Sequence, residues 1–348
     1  MTKCEKNIYI NSSNVKQQTN LSLQEPFFSI ITPVFNGEKY LKNYFNELIS
    51  QNFTNFEVIV IDDGSQDSTL SIIKNYQTKL PQLKLLQQAN SGQGVARNKA
   101  LEAASGNYIL FIDSDDSLTS SSSLQQLYNY LSQNPSDVTI FAYQKVYGNK
   151  IFKVPKKQTQ LLQSNSATTV EQKKNLINHK RIGGPWNKVY GKEFLKNNNI
   201  TFAETLKFED AYFFWQIIIC AKQINFFNCP IYNYRKHNLA TMRINSNKNL
   251  AIIKVYELII RFLEKKHLLE LFYSTLLNRA LPSFISQFRK TPFRYKKEFF
   301  TQLKNFVVEY LLRNDIGINN KLSKKSLKAI KALNTNSFLW FYIKSFLL

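Results

Sequence analysis

Nine residues, Tyr108-Ile109-Leu110-Phe111-Ile112-Asp113-Ser114-Asp115-Asp116, carry an apolar run straight into three carboxylates. A continuous apolar run of this kind suits a strand buried on both faces. Three acids cannot follow it into the core, because unpaired buried charge is too costly. They are expected at the carboxyl edge of a parallel sheet, where open α/β folds bind ligands. Carboxylates without Cys or His beside them suit a hard cation, Mg²⁺ or Mn²⁺. A second reading stays open: Asp-Ser-Asp-Asp as the cap of a helix carrying Leu124, Leu127, Tyr128 and Leu131 at helical spacing.

The elements that must hold these acids lie mostly upstream. Phe27 to Gly37 reads as a strand ending in a turn, followed by a helix with Tyr40, Leu41, Tyr44, Phe45, Leu48 and Ile49 on one face. Glu57 to Ile61 is a second buried strand, ending in Asp62-Asp63-Gly64-Ser65. That ending serves equally as a turn. A helix over 68–79, a strand over 83–86 and a helix after Ser91-Gly92-Gln93-Gly94 follow, the last with Gly106 as its expected C-cap. This alternation predicts an α/β fold with a mainly parallel, doubly wound sheet. Parallel strands point the same way, so the acids after Ile61 and after Ile112 would face one crevice.

Four stretches in order carry a resemblance: Ile31-Thr32-Pro33-Val34-Phe35-Asn36-Gly37-Glu38, Val60-Ile61-Asp62-Asp63-Gly64-Ser65-Gln66-Asp67, Ser91-Gly92-Gln93-Gly94-Val95-Ala96-Arg97-Asn98, and Phe111 to Asp116. Together they resemble the motifs of family 2 glycosyltransferases over roughly residues 27–240. The resemblance implies a GT-A fold, inverting chemistry, a UDP-sugar donor and a divalent cation, Mn²⁺ or Mg²⁺. It implies that Pro33, Phe35 and Glu38 line the nucleotide pocket, with Phe35 where the family often has Tyr. By the same resemblance Asp63 would accept from the uracil, Arg97 would lie near the diphosphate, and Asp113 and Ser114 would contact the nucleotide-sugar. Asp115 would bind the metal.

Further along, Ile182-Gly183-Gly184-Pro185-Trp186-Asn187-Lys188 reads as a bend, with Trp186 open to a core role or a binding role. The resemblance places Trp186 and Asn187 at the acceptor site. Phe208-Glu209-Asp210 opens an apolar helix, where acids favour the first turn on dipole grounds alone. In the family this is the Glu-Asp motif, which would make Asp210 the catalytic base and Glu209 its neighbour in orienting substrate. The resemblance also places Tyr232 to His237 at a phosphate-side loop, which makes Arg235 and His237 candidates for contacts to the diphosphate or metal.

The chain has 348 residues and a net charge of +22, which calls for an anionic partner. Residues 236–348 hold 21 Lys and Arg against 6 Asp and Glu, so most of the excess lies there. The expected division is a polar tail over 1–25, a catalytic domain over 26–240 and a basic helical region over 241–348. In Lys321 to Leu333, Leu322, Leu327, Ile330 and Leu333 share one face and lysines the other. With the aromatic run Ser337 to Leu348 this suits an interfacial anchor on an anionic membrane or a helix packed on the catalytic domain. The helical region also offers a homodimer interface. Three cysteines, Cys4, Cys220 and Cys229, have the spacing of neither a disulfide framework nor a zinc site. No apolar run reaches the ~20 residues of a spanning helix, and the first residues lack a signal-peptide core. The expectation is a bacterial cytoplasmic enzyme, peripheral on the inner membrane face. It would add single sugars to a glycan or lipid-linked glycan of lipopolysaccharide or capsule, since the processive Gln-x-x-Arg-Trp motif is missing. The competing class is a charge-driven nucleic-acid-binding protein, but the basic residues concentrate in the tail, so no nucleic acid is expected. A non-catalytic glycan-binding member is the third reading, and Asp113, Asp115 and Asp210 speak against it.

Overall fold

The structure is a computed structural model, and it describes residues 25–148, 150–152, 166–179, 182–204, 206–236, 247–311, 322–333 and 337–345. Ten strands form one mixed sheet. They are β1 (Phe28–Val34), β2 (Phe56–Asp62), β3 (Leu83–Gln87), β4 (Tyr108–Phe111), β5 (Ser117–Leu118), β6 (Val138–Tyr147), β7 (Lys150–Phe152), β8 (Ser166–Ala167), β9 (Lys188–Gly191) and β10 (Ile224–Arg235). The main path runs β3-β2-β1-β4-β9-β6-β10-β5. Strands β3, β2, β1 and β4 are all parallel. The parallel reading holds for this half. Strand β9 then runs antiparallel to both β4 and β6, and β10 is parallel to β6.

Both faces of the parallel strands are apolar, and side chains alternate between two cores. Ile31, Ile59, Ile61, Ile109 and Phe111 face α3 (Gln93–Glu102) through Ala96 and Ala100. Phe28, Ile30, Val34, Val58, Val60 and Leu110 face α1 (Glu38–Ile49) and α2 (Thr69–Gln77), while α4 (Ser123–Gln133) joins the same core. Burial on both faces explains why these strands read as unbroken apolar runs. Helix α3 ends at Glu102, before the expected cap at Gly106. Gly106 serves close approach instead: a Cβ there would sit 2.7 Å from the Phe28 carbonyl carbon.

The second half supplies α5 (Val170–Asn178), α6 (Lys192–Asn197), α7 (Glu209–Cys220), α8 (Ala251–Lys265), α9 (Leu269–Lys290), α10 (Phe293–Leu311), α11 (Lys324–Leu333) and α12 (Phe338–Ser345). The C-terminal helices are continuous with the core under the sheet: Tyr256, Phe284, Leu333 and Phe341 belong to the same buried cluster as Ile31 and Trp215. Phe341 is fully buried and packs on Phe288 and Phe300. So Phe341 of the aromatic terminal segment is used inside the protein, and Lys324, Lys328 and Lys331 form the exposed face of α11. Cys220 is a free thiol, and Cys229 Sγ lies 3.2 Å from Gln126 Oε1.

Candidate active site

The sheet changes direction at β1: β2 and β3 lie on one side of it and β4 on the other. Ligands bind at such switch points, outside the carboxyl ends of the strands. Pairing of β1 with β4 stops at Ile31 and Phe111, although β1 continues to Val34 beside β2. This leaves Pro33, which has no N–H to donate, at the open edge. Phe35 follows it and is 50% exposed. The turn continues through Asn36 at φ 51° and Gly37. A Cβ on Gly37 would stand 3.6 Å from Ser114 Oγ, so the turns after β1 and β4 meet across the switch point.

Asp113, Ser114 and Asp115 are half-buried on this edge, and Asp116 is buried. The capping alternative fails, because β5 intervenes and α4 starts only at Ser123. Asp116 points inward. It accepts 2.7 Å from the Tyr232 hydroxyl and 2.6 Å from the Arg235 backbone N–H. Tyr232 Oη in turn accepts from the Asp113 N–H, and Arg235 Nε donates to the Asp115 carbonyl. Burial pushes the Asp116 carboxyl well above the usual carboxylate range, and Asp115 and Asp113 push it further. Asp113 is raised by burial too, partly offset by Arg97.

Arg97 is the hub of these acids. It is 3% exposed, and it donates 3.0 Å to Asp113 and 2.9 Å to Glu209. A guanidinium's forked donors suit this double duty. Arg97 thus forms a strut linking α3, the β4 turn and α7. Its Nε has no hydrogen-bond partner among the described residues. Helix α3 comes close enough only because residue 94 is glycine: a Cβ there would meet the Ala203 carbonyl oxygen at 2.4 Å.

Glu209 and Asp210 open α7, whose N-cap Phe208 has the left-handed φ of 72°. That conformation costs a non-glycine residue about 1–2 kcal/mol, and burial of the Phe208 ring at 6% exposure offsets it. Asp210 keeps some open surface but is enclosed on most sides. Burial and the Glu209 charge push its pKa up to about 7, against the pull of Arg97, the Ala211 N–H and Lys188. Lys188 is 1% exposed and donates to the carbonyls of Ile182 and Gly184 and to Asn187 Oδ1. Three acceptors call for all three ammonium protons, while burial pulls its pKa down to about 7.

The remaining candidates divide. Trp186 is half-buried, stacked on Tyr232 at 5.0 Å and on Tyr234 at 5.1 Å, so it is part anchor and part rim. Asn187 is fully buried and holds Lys188. The acceptor contact expected of it has no open face. Asp63 is 4% exposed and accepts from Gln88, Ser91 N–H and Gly92 N–H. It fixes the turn into α3 and has about one lone-pair direction left for a ligand. Asp62 plays the turn-forming part, accepting from the Ser65 N–H. Glu38 reaches the Ser68 N–H and so ties α1 to α2. His237 lies outside the described residues. Asp116, expected with Asp113 and Asp115 at the open edge, is instead buried, its carboxylate satisfied by the Tyr232 hydroxyl and the Arg235 N–H; a tyrosine on an apolar strand carries no local mark of that pairing.

Residues 29–197 match the family model "Glycosyl transferase family 2". The uncharacterised glycosyltransferase YibD of Escherichia coli is 29% identical over 245 residues, covering 68% of this chain and 70% of YibD. The poly(ribitol-phosphate) beta-N-acetylglucosaminyltransferase TarS of Staphylococcus aureus is 33% identical over 215 residues, 60% of this chain but only 35% of TarS. The crystal structure of S. aureus TarS 1-349 in complex with UDP-GlcNAc superposes with a TM-score of 0.70 at 26% identity, covering 91% of this chain and 88% of that one. The chain is a glycosyltransferase of family 2 with the GT-A fold.

Proposed function

We propose that the chain transfers a sugar from a UDP-sugar to a bacterial cell-surface glycan, by inversion and one residue per encounter. The observation that carries this reading is the single guanidinium of Arg97 between Asp113 and Glu209. It joins the acids at the end of β4 to those at the start of α7, so donor-side and base-side carboxylates share one cleft. TarS structures hold UDP-GlcNAc and UDP, which supports a UDP-linked donor.

In this reading the nucleotide lies over Pro33 and Phe35, with Ser114 and Asp113 toward its ribose. Among the described residues no three His, Cys, Asp or Glu side chains form a closed cage. An open set still fits Mg²⁺ or Mn²⁺, which bind through one or two carboxylates while substrate phosphates complete the shell. Asp115, partly open at the cleft, would hold the ion, which would act as a Lewis acid on the departing diphosphate. Asp210 takes the acceptor hydroxyl proton as that oxygen attacks. Its raised pKa suits a base working near neutrality. Arg97 orients Glu209 and Asp113, and Trp186 with Tyr234 forms an aromatic rim for the acceptor.

The test is donor hydrolysis and UDP binding across a panel of UDP-sugars with Mn²⁺. Asp115→Ala should abolish metal-dependent UDP binding. Asp210→Asn should bind UDP as the wild type does and lose turnover. Full turnover by Asp210→Asn would refute the assignment of the base.

A further inference from the structure

The turn between α9 and α10 combines features that the catalytic reading leaves unused. Its sequence is Lys290-Thr291-Pro292-Phe293-Arg294. Thr291 is extended, at φ −71° and ψ 134°, as a residue before proline must be. The chain turns sharply and throws Phe293 outward, 69% exposed, the most open of the large apolar side chains among the described residues. One exposed phenylalanine needs no explanation by itself. This one is surrounded: Lys290, Arg294 and Lys297 are all exposed within four residues of it. The exposed acid in this stretch is Glu298, which accepts from Gln302.

The platform beneath is fixed. Lys296 is 4% exposed and donates to the carbonyls of Phe288 and Arg289, the last turn of α9. Tyr342 of α12 backs Phe293 edge-on at 5.8 Å. The charge also extends toward the cleft. Burial lowers the Lys207 pKa, and the charges of Lys290 and Lys248 lower it further; Lys207 is two residues ahead of Glu209.

We propose that this turn docks the enzyme on an anionic membrane surface, with Phe293 entering the headgroup boundary and Lys290, Arg294 and Lys297 meeting lipid phosphates. An aromatic ring among cations is what an interface of apolar and charged layers selects. A soluble polyanion would use the cations and leave the ring in water. Each cation near such a surface adds attraction, and the fixed turn presents them without ordering on contact. The surface lies at α9–α10 rather than in the terminal segment, whose Phe341 is spent on packing. Because the patch continues to Lys207, docking brings the rim of the cleft toward an acceptor carried by lipid.

Co-sedimentation of the full chain with vesicles tests this without reference to transfer. Wild type should bind mixed phosphatidylcholine–phosphatidylglycerol vesicles and bind pure phosphatidylcholine weakly. Phe293→Ser and the pair Lys290→Glu with Arg294→Glu should each weaken binding about tenfold or more. Val308→Ser, at an exposed apolar site on α10 away from the turn, should bind as wild type, and all variants should melt as wild type does. Equal vesicle binding by wild type and Phe293→Ser overturns the proposal. So does an absence of vesicle binding, and polyphosphate binding lost in the charge variants would then reassign the patch to a soluble polyanion.

Discussion

At Asp210 a carboxylate is held where ionisation is expensive, at the entry of α7 and beside Glu209. Its pKa of about 7 has two consequences with opposite signs. For turnover, the ionised form is the base, so kcat/KM should rise with pH and level off above about 7. For stability, the raised folded value means the folded state holds a proton that the unfolded chain has lost. The contribution is fully present below the ordinary carboxylate range and is lost as pH rises through about 7. Asp210→Asn carries no such titration. The melting temperature of the variant, measured against wild type, should therefore gain steadily between about pH 4 and 7. Its transfer rate should fall roughly 10²–10⁴-fold, the range for losing a general base. A pH-independent difference between the two melting curves would show that Asp210 ionises freely.

At the scale of elements, the turn into α3 separates two uses of glycine. Gly92 has φ +92° with open space around its Cβ position, whereas a Cβ on Gly94 would strike the Ala203 carbonyl. Gly92→Ala should cost local backbone strain of about 1–3 kcal/mol, because φ 92° with ψ 160° is open essentially to glycine alone, and should leave the α3–α7 contact in place. Gly94→Ala must push α3 away from α7, costing about 1–3 kcal/mol in overpacking and loosening Arg97 from Glu209. Activity should drop more for Gly94→Ala than equal unfolding would explain, measurable as kcat at a temperature where both variants are folded. The motif stretch around these glycines was legible in sequence, as were the strand ends that carry Asp63 and Asp113. The contacts were not. Arg97 and Glu209 are 112 residues apart, and nothing local says that an arginine on a helix is buried. Strand β9 is only four residues long, so its reversed direction left no periodic signal. Asn187 sits beside Trp186 in a glycine-rich bend that resembles surface, yet the Lys188 ammonium draws its side chain inward.

At the scale of the whole molecule, sequence alone left the C-terminal helices between two roles, because an amphipathic basic helix serves a membrane and a protein core equally well. The packing distinguishes which face does which. Leu333 is 3% exposed and Phe341 is fully buried, in one cluster with the sheet and α7. Phe341 touches Phe288 and Phe300, on the helices that frame the Phe293 turn. Fully burying one such side chain is worth about 1.5–3 kcal/mol, and truncating a phenylalanine in a core costs about 3–5 kcal/mol. Against a total stability on the order of 5–15 kcal/mol, Phe341→Ala should lower the melting temperature markedly in membrane-free buffer. Removing residues 321–348 should abolish a cooperative melt altogether. If the terminal segment were only a membrane anchor, Phe341→Ala would melt as wild type and lose vesicle binding. The packing predicts the reverse at this residue: a lower melting temperature, with the vesicle binding of the folded variant still governed by Phe293.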